Sequence, residues 1–249
     1  MKILKDIIEN IKADAKVREI RKGVFWTAVT SRYCGLASTM IKDLCPHENE
    51  ENNAFYPLSD KTALELSQFS LSEDISEASI GLAAINSLID IDESRCVEIN
   101  ASELLMQRGK DKNISVIGHF PFTDDLRSKA KNLWVIEKSQ RPGDYAEDDA
   151  EKYLPLSDII AISSTTLINH TLPGLLSLCS EKSLKMLLGP TTPMSRVFFD
   201  YGIDIVSGSR VIDEDKALKY ISEGANFRQL KQSGCISLIS MVKNIPFSI

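Results

Sequence analysis

The sequence predicts an α/β protein: a small α+β domain over residues 1–110, then a Rossmann-like domain over residues 111–249 built on a mainly parallel sheet. Three observations carry this. After Asn113, short apolar runs at 114–118, 133–137, 159–163, 185–189 and 203–206 alternate with helical stretches, the pattern of buried parallel strands with right-handed crossovers and helices on both faces. Before Asn113 the order is strands and then helices, an α+β pattern. Between the two lies the polar stretch Gly109-Lys110-Asp111-Lys112-Asn113.

The first sixteen residues set Leu4, Ile7, Ile8 and Ile11 on one helical face among charged residues. This spacing predicts an amphipathic helix and not an export signal, whose apolar stretch would be continuous. The β-branched and aromatic run 23–30 suits a strand, with residues 33–40 as its hairpin partner. Helices are expected over 58–69, opened by Ser59 or Asp60, and over 75–89, preceded by Ser72-Glu73-Asp74. After 90–95, Asn100 is placed to cap a short helix reaching Arg108. Residues 235–242 fit either a final strand or a short helix, because periodicity does not separate the two over so short a run. No internal repeat or low-complexity stretch is present.

The chain of 249 residues is 43% hydrophobic and 26% charged, with 12 Gly and 9 Pro, ordinary usage for a chain that folds around a core. Its length allows one large domain or two smaller ones, since single cores stop growing at roughly 250–300 residues. With 29 basic and 35 acidic residues the net charge is −6, and the pI is near 5.2. That balance lacks the basic footprint of a nucleic-acid binder. No run approaches the ~20 apolar residues of a membrane span. Cys34, Cys45, Cys96, Cys179 and Cys235 are widely spread and contain no C-x-x-C pair, so they read as reduced thiols of a cytoplasmic protein. The sequons at Asn100, Asn113 and Asn169 carry no weight without secretion.

Ligands of open parallel sheets bind beyond the carboxyl ends of the strands, which directs attention to the residues after each run. The first run leads into Gly118-His119-Phe120-Pro121-Phe122, where glycine allows close backbone approach and histidine can act as acid, base or metal ligand. The third leads into Ser163-Ser164-Thr165-Thr166-Leu167-Ile168-Asn169-His170, and the fourth into Gly189-Pro190-Thr191-Thr192-Pro193. Hydroxyls and backbone N–H groups at a helix start favour an anion. Plain readings stand beside these: Ser, Thr and Asn before a helix are commonly caps, Gly189-Pro190 can be a simple turn, and His119 can be structural. Convergence of three strand ends on one edge favours a site.

Glu137 follows Gly118 by 19 residues, the interval between the glycine loop and the ribose-binding acid of dinucleotide and methyl-donor sites. The second and third glycines of that loop are missing, which disfavours a nicotinamide cofactor and leaves an adenosyl cofactor open, and Glu137 can equally be a solvated strand-end residue. Asp158 reads as a cap before a buried strand. G-x-S-x-G, Walker and H-E-x-x-H motifs are absent, so serine-hydrolase, P-loop and zincin chemistry lack support. His47 heads the acidic stretch 48–51, a solvated loop. Trp26 and Trp134 sit inside expected strands. Cys34-Gly35 marks a hairpin bend, with no adjacent base to activate the thiol.

Several of these segments resemble the putative heavy-metal chelation family: Gly23-Val24-Phe25-Trp26-Thr27-Ala28-Val29 with Cys34-Gly35-Leu36-Ala37, Val116-Ile117-Gly118-His119-Phe120-Pro121, the run 163–173, and Leu188-Gly189-Pro190-Thr191-Thr192-Pro193 with Gly208. The resemblance spans nearly the whole chain. It implies an enolase-like N-terminal domain, a Rossmann-like C-terminal domain partly similar to methyltransferases, and a cleft to which both contribute. It also implies a role in metal uptake or chelation, with a condensation or hydrolysis in siderophore, pterin or flavin-like synthesis among the reactions considered. Carried over by position, the family's signature falls on Gly118, His119 and Pro121, on Ser164, Thr165, Asn169 and His170, and on Gly189, Pro190, Thr191 and Pro193.

These readings combine into one expectation. An interdomain cleft binds an anionic small molecule, such as a metallophore, a metal chelate or its precursor. Gly118 allows close approach, Ser164, Thr165, Thr166 and Thr191 hold anionic oxygens, and His119 transfers a proton or acts as ligand. Phe120, Pro121, Glu137, Asn169, Gly189 and Pro190 line the site. His170, expected a turn into a helix whose N-terminus disfavours imidazolium, stays neutral. No set of four soft ligands appears, so a metal held through an organic chelator suits the edge better than a tightly held thiophilic ion. The alternatives are a non-catalytic protein that binds or delivers a metal complex, and an adenosyl-dependent methyltransferase.

Overall fold

The computed structural model describes residues 1–41, 57–97 and 101–243. Cys45, His47, the acidic stretch 48–51 and Asn100 lie outside them. In chain order the elements begin with α1 (Lys2–Glu9), β1 (Glu19–Lys22), β2 (Trp26–Thr30), β3 (Cys34–Ser38), α2 (Ala63–Ser67) and α3 (Ile75–Leu88). Next come β4 (Cys96–Val97), α4 (Ala101–Arg108), β5 (Asn113–Ile117), α5 (Thr123–Arg127), β6 (Asn132–Ile136), α6 (Ala150–Tyr153), β7 (Ile159–Ser163), α7 (Leu172–Leu178), β8 (Leu184–Leu188) and α8 (Val197–Asp200). The chain continues through β9 (Ile205–Val211), α9 (Glu214–Ser222), α10 (Phe227–Gln232) and β10 (Ile236–Val242).

These elements form two compact units, Met1–Asp90 with Ser209–Ser237, and Ile91–Gly208 with the residues from Leu238 on. The 110/111 division read from the sequence falls inside the second unit, because Leu104 and Leu105 of α4 belong to that unit's apolar core.

In the first unit, β1, β2 and β3 form an antiparallel sheet in that order. Trp26, Ala28 and Leu36 pack against Ala217, Leu218 and Ile221 of α9 and Leu230 of α10, while α3 packs on β2 and β3. Alternation along a strand sends successive side chains to opposite faces, so both faces are covered. The sequence hides β1, whose Glu19, Arg21 and Lys22 suit an edge strand and mask its pairing with β2. The single helix expected over 58–69 is broken. A 3-10 turn at Leu58–Asp60 precedes α2, whose cap is Thr62 and not Ser59 or Asp60. The Thr62 side chain accepts from the Glu65 backbone while Glu65 accepts from the Thr62 backbone, a reciprocal cap that starts the helix there. Asp74 caps α3 by accepting from Ser76 and Glu77.

The second unit carries a seven-stranded sheet in the order β4-β10-β9-β8-β7-β5-β6. β6, β5, β7, β8 and β9 run parallel, and the short β4 pairs antiparallel with β10. The five apolar runs are these parallel strands, and residues 236–242 resolve as a strand. Ile114, Val116, Val135, Ile159, Ala161, Met186 and Ile205 form a buried face with Leu104 and Leu105 of α4 and Leu126 of α5. Asp158 secures the start of the sheet: its Oδ2 accepts from the Asn113 backbone at 2.9 Å, and its own N–H donates to the Asn113 carbonyl at 2.8 Å. Trp134 is half-buried and stacks on Tyr153, with ring centroids 4.8 Å apart. Among the described residues, no helix is long and apolar enough to cross a membrane.

Candidate functional site

Because β5, β7 and β8 are parallel neighbours, their carboxyl ends lie along one edge. Gly118, the residue after β5, has φ +95°, and a Cβ there would lie 2.9 Å from the Ser163 Cβ. Gly189, the residue after β8, has φ +130°, and a Cβ there would lie 2.7 Å from the Ser164 Oγ. Backbone conformation and space both demand glycine at the two positions. The β7 exit, Ser163-Ser164, therefore runs between two stretches of bare backbone. The glycine N–H groups are committed to the sheet, Gly118 to the Ile136 carbonyl at 3.0 Å and Gly189 to the Ser207 carbonyl at 3.1 Å.

The hydroxyls after β7 serve the chain first. The Ser163 Oγ caps the following 3-10 turn and lies 2.8 Å from the Thr165 Oγ1, and the Thr166 Oγ1 donates to the Ser163 carbonyl at 2.6 Å. Ser164 and Thr166 are buried and Thr165 is half-buried, leaving Thr165 the most accessible of the three. The 3-10 turn ends at Leu167. Asn169 then folds its Oδ1 onto the N–H and hydroxyl of Thr171 at 3.3 and 2.8 Å, opening α7, where Pro173 occupies the first turn. His170 accordingly lies between two helical segments, at φ +58°, and not a turn inside one; the Asn169 side chain and Pro173 start a new helix after it. After β8, Gly189-Pro190-Thr191-Thr192 is a turn closed by the Thr192 N–H on the Gly189 carbonyl at 3.0 Å. Thr191 and Thr192 are buried, and the Thr192 Oγ1 has no hydrogen-bond partner among the described residues.

His119 follows Gly118 and is half-buried. An Nη of Arg141 lies 3.1 Å from its Nδ1, and because guanidinium can only donate, Nδ1 is the acceptor. The neutral ring therefore carries its proton on Nε2, which faces the Asp144 Oδ1 at 3.7 Å, within ion-pair range but beyond a hydrogen bond. Asp144 is held in turn by the Arg141 N–H on its Oδ2 at 2.9 Å, and its side chain is only 2% exposed. Both partners come from one turn, Arg141-Pro142-Gly143-Asp144. The Asp144 N–H bonds the Arg141 carbonyl at 3.0 Å and Gly143 has φ +91°, as in a type II turn with Pro and Gly at its centre. Sequence reasoning missed Arg141 and Asp144. The Pro-Gly pair signals a turn, but only the β5–β6 pairing brings that turn back to His119.

Phe120 and Phe122 stack 5.1 Å apart against the apolar core, with Pro121 exposed between them. The register Ile117↔Ile136 sets Glu137 level with Gly118. Glu137 is half-buried, and its Oε1 accepts from the Lys138 N–H at 2.9 Å. No group of three or more His, Cys, Asp or Glu side chains suited to a metal ion occurs among the described residues. Burial pushes the Cys34 thiol up to about 12 and the Cys179 thiol to about 11. Both stay protonated at neutral pH, and the protonated thiol is neither the nucleophile nor the metal-binding form.

Comparison with known proteins gives a consistent result. Two family models, both described as "Putative heavy-metal chelation", match residues 4–89 and 100–240. An uncharacterized protein of Methanocaldococcus jannaschii is 32% identical over 198 residues, 75% of this chain and 73% of that protein. A crystal structure of a DUF364-family protein of unknown function from Desulfitobacterium hafniense aligns with TM-score 0.80 and 26% identity, covering 97% of this chain and 98% of that one. Another from Pyrococcus horikoshii aligns with TM-score 0.78 and 23% identity over the same shares. The chain belongs to the putative heavy-metal chelation family.

Proposed function

We propose that the carboxyl edge of β5, β7 and β8 binds an anionic small molecule, a metallophore, a metal chelate or its precursor, with His119 as the proton-transfer group. The observation that carries this reading is the pair of side-chain-free positions, Gly118 and Gly189, flanking Ser163-Ser164 beside a histidine held by Arg141 and Asp144. Bare backbone admits a ligand closely, Thr165 and a guanidinium offer donors to oxygen, and an imidazole of fixed tautomer suits general acid–base work. The metal enters with its organic ligands, because no group of three or more His, Cys, Asp or Glu side chains among the described residues offers a direct site. Rossmann-like sheets bind ligands at this edge, and the family description points to metal chelation. The level placement of Glu137 and Gly118 favours an adenosyl ligand as a second reading, with Glu137 accepting from ribose hydroxyls.

Equilibrium dialysis of the protein against ferric citrate, with iron and citrate both quantified, tests the first reading. Iron and citrate retained together support it, and citrate altered on recovery makes the protein an enzyme where intact citrate makes it a carrier. Iron retained without citrate, or S-adenosylmethionine stabilising the protein thermally where ferric citrate does not, would overturn it.

A further inference from the structure

The loop that supplies Arg141 holds two kinds of cation. Lys138 is neutralised by Glu147 at 3.3 Å. Arg141 is exposed, and among the described residues its guanidinium meets no carboxylate; its one side-chain partner is the His119 Nδ1. Asp144 does not neutralise it, because one carboxylate oxygen is taken by the Arg141 backbone N–H and the other faces the His119 Nε2. A guanidinium has five N–H donors in a planar fork that fits an oxyanion through two parallel bonds. A neutral ring nitrogen uses one of them and supplies no charge.

We propose that Arg141 is the residue that recognises the ligand's acidic group, a carboxylate or phosphoryl oxyanion, and that this oxyanion takes the guanidinium from the His119 Nδ1 and so releases the nitrogen's lone pair. The inference rests on the ligand-site reading above and adds the chemistry of the group recognised. Bound oxyanion and charged guanidinium neutralise each other beside the ring. The freed Nδ1 then accepts a proton from the bound molecule: the ligand's X–H bond breaks, its electron pair stays on the ligand, and the new N–H lies on an imidazolium whose Nε2–H faces the Asp144 carboxylate. Asp144 is thus a positioning residue that also offsets the charge, and His119 becomes a base only when an acidic ligand is present. The groups that meet the ring are Arg141 and Asp144, both from the turn; the neighbouring Gly118 is level with Glu137 at the end of β6 and packs on Ser163.

Imidazole nitrogen NMR on the full chain, with His119 assigned as the resonance that a His119→Ala protein lacks, tests this using inorganic phosphate and citrate as separate probes. The free protein should show His119 as the Nε2–H tautomer. Saturable binding of at least one probe should shift its Nδ1 resonance, and the tighter probe identifies a phosphoryl or carboxylate group. Arg141→Gln should weaken binding at least about tenfold, the size of one lost charge-assisted contact. Arg141→Lys should fall between, since it keeps the charge and loses the fork. Thermal melts matching the unsubstituted protein show that these are binding effects. No saturable binding of either probe, equal binding by Arg141→Gln, or binding that leaves the His119 Nδ1 unmoved would overturn the proposal. Ferric citrate retained equally by Arg141→Gln removes this inference and spares the ligand-site reading, whereas oxyanion binding at Arg141 with iron retained free of citrate does the reverse.

Discussion

In the first unit, Gly35 lets α3 settle on β3: a Cβ there would lie 2.1 Å from the Ala83 carbonyl oxygen and 2.3 Å from the Ser87 N. In the second, Gly118 and Gly189 make room at strand ends for the side chains of Ser163 and Ser164, one small residue each. The contrast extends to the neighbouring heteroatoms. The half-buried Cys34, next to Gly35, packs against the apolar core that Trp26 and Leu36 share with α9, and its thiol is raised to about 12 by burial, whereas the half-buried His119, next to Gly118, meets two polar side chains. All four residues lie in segments that resemble the same family. The resembling segments therefore include a glycine enclosed by backbone and a glycine at a strand end, and the surroundings of each separate them.

The largest effect expected from this contrast is Gly35→Val. With backbone atoms on both sides of the new Cβ, overpacking should cost roughly 3 kcal/mol in urea denaturation, and a loss under 1 kcal/mol would show that α3 is free to shift. Gly118→Ala should cost less, about 1–2 kcal/mol for a left-handed alanine, because the atom it meets is a serine Cβ at 2.9 Å; yet it should abolish ferric citrate retention, which Gly35→Val should leave intact wherever the protein remains folded. Equal retention by Gly118→Ala would break the comparison.

Some of this division is legible in the sequence and some is not. The parallel strands announce themselves as apolar runs because both of their faces are buried, and their ends locate Gly118, Ser164 and Gly189 to within a residue. β1 does not, since an edge strand tolerates Glu19, Arg21 and Lys22. Nothing local in 209–237 shows that Ala217, Leu218 and Ile221 pack with Trp26 and Leu36, a contact separated by nearly the whole chain. Arg141 and Asp144 are hidden for the same reason: their partner His119 is reached through the β5–β6 register and a turn. Thr166 shows the opposite failing, a residue of suitable type and place whose hydroxyl donates to the Ser163 carbonyl.

Smaller effects sharpen the contrast. His119→Ala, at a half-buried position, should change stability by no more than about 1 kcal/mol, while ferric citrate retention falls. A marked loss of stability with retention unchanged would make His119 structural, like Cys34. For Cys34 the folded pKa of about 12 stands above its ordinary 9.0, so its contribution to stability is complete below pH 9 and is lost as pH rises from 9 toward 12. The fall of the denaturation midpoint above pH 9 should accordingly be shallower in Cys34→Ser than in the unsubstituted protein, each measured against its own value below pH 9; an identical decline would remove Cys34 from the account.

Native mass spectrometry of the protein as purified, run beside Gly118→Ala of matched thermal stability and with metals quantified on both samples, tests the site most directly. The account predicts that the unsubstituted protein carries an organic anion, with or without its metal, and that Gly118→Ala has lost that mass. The same organic mass on both proteins, or a bare metal ion retained by both, would contradict it.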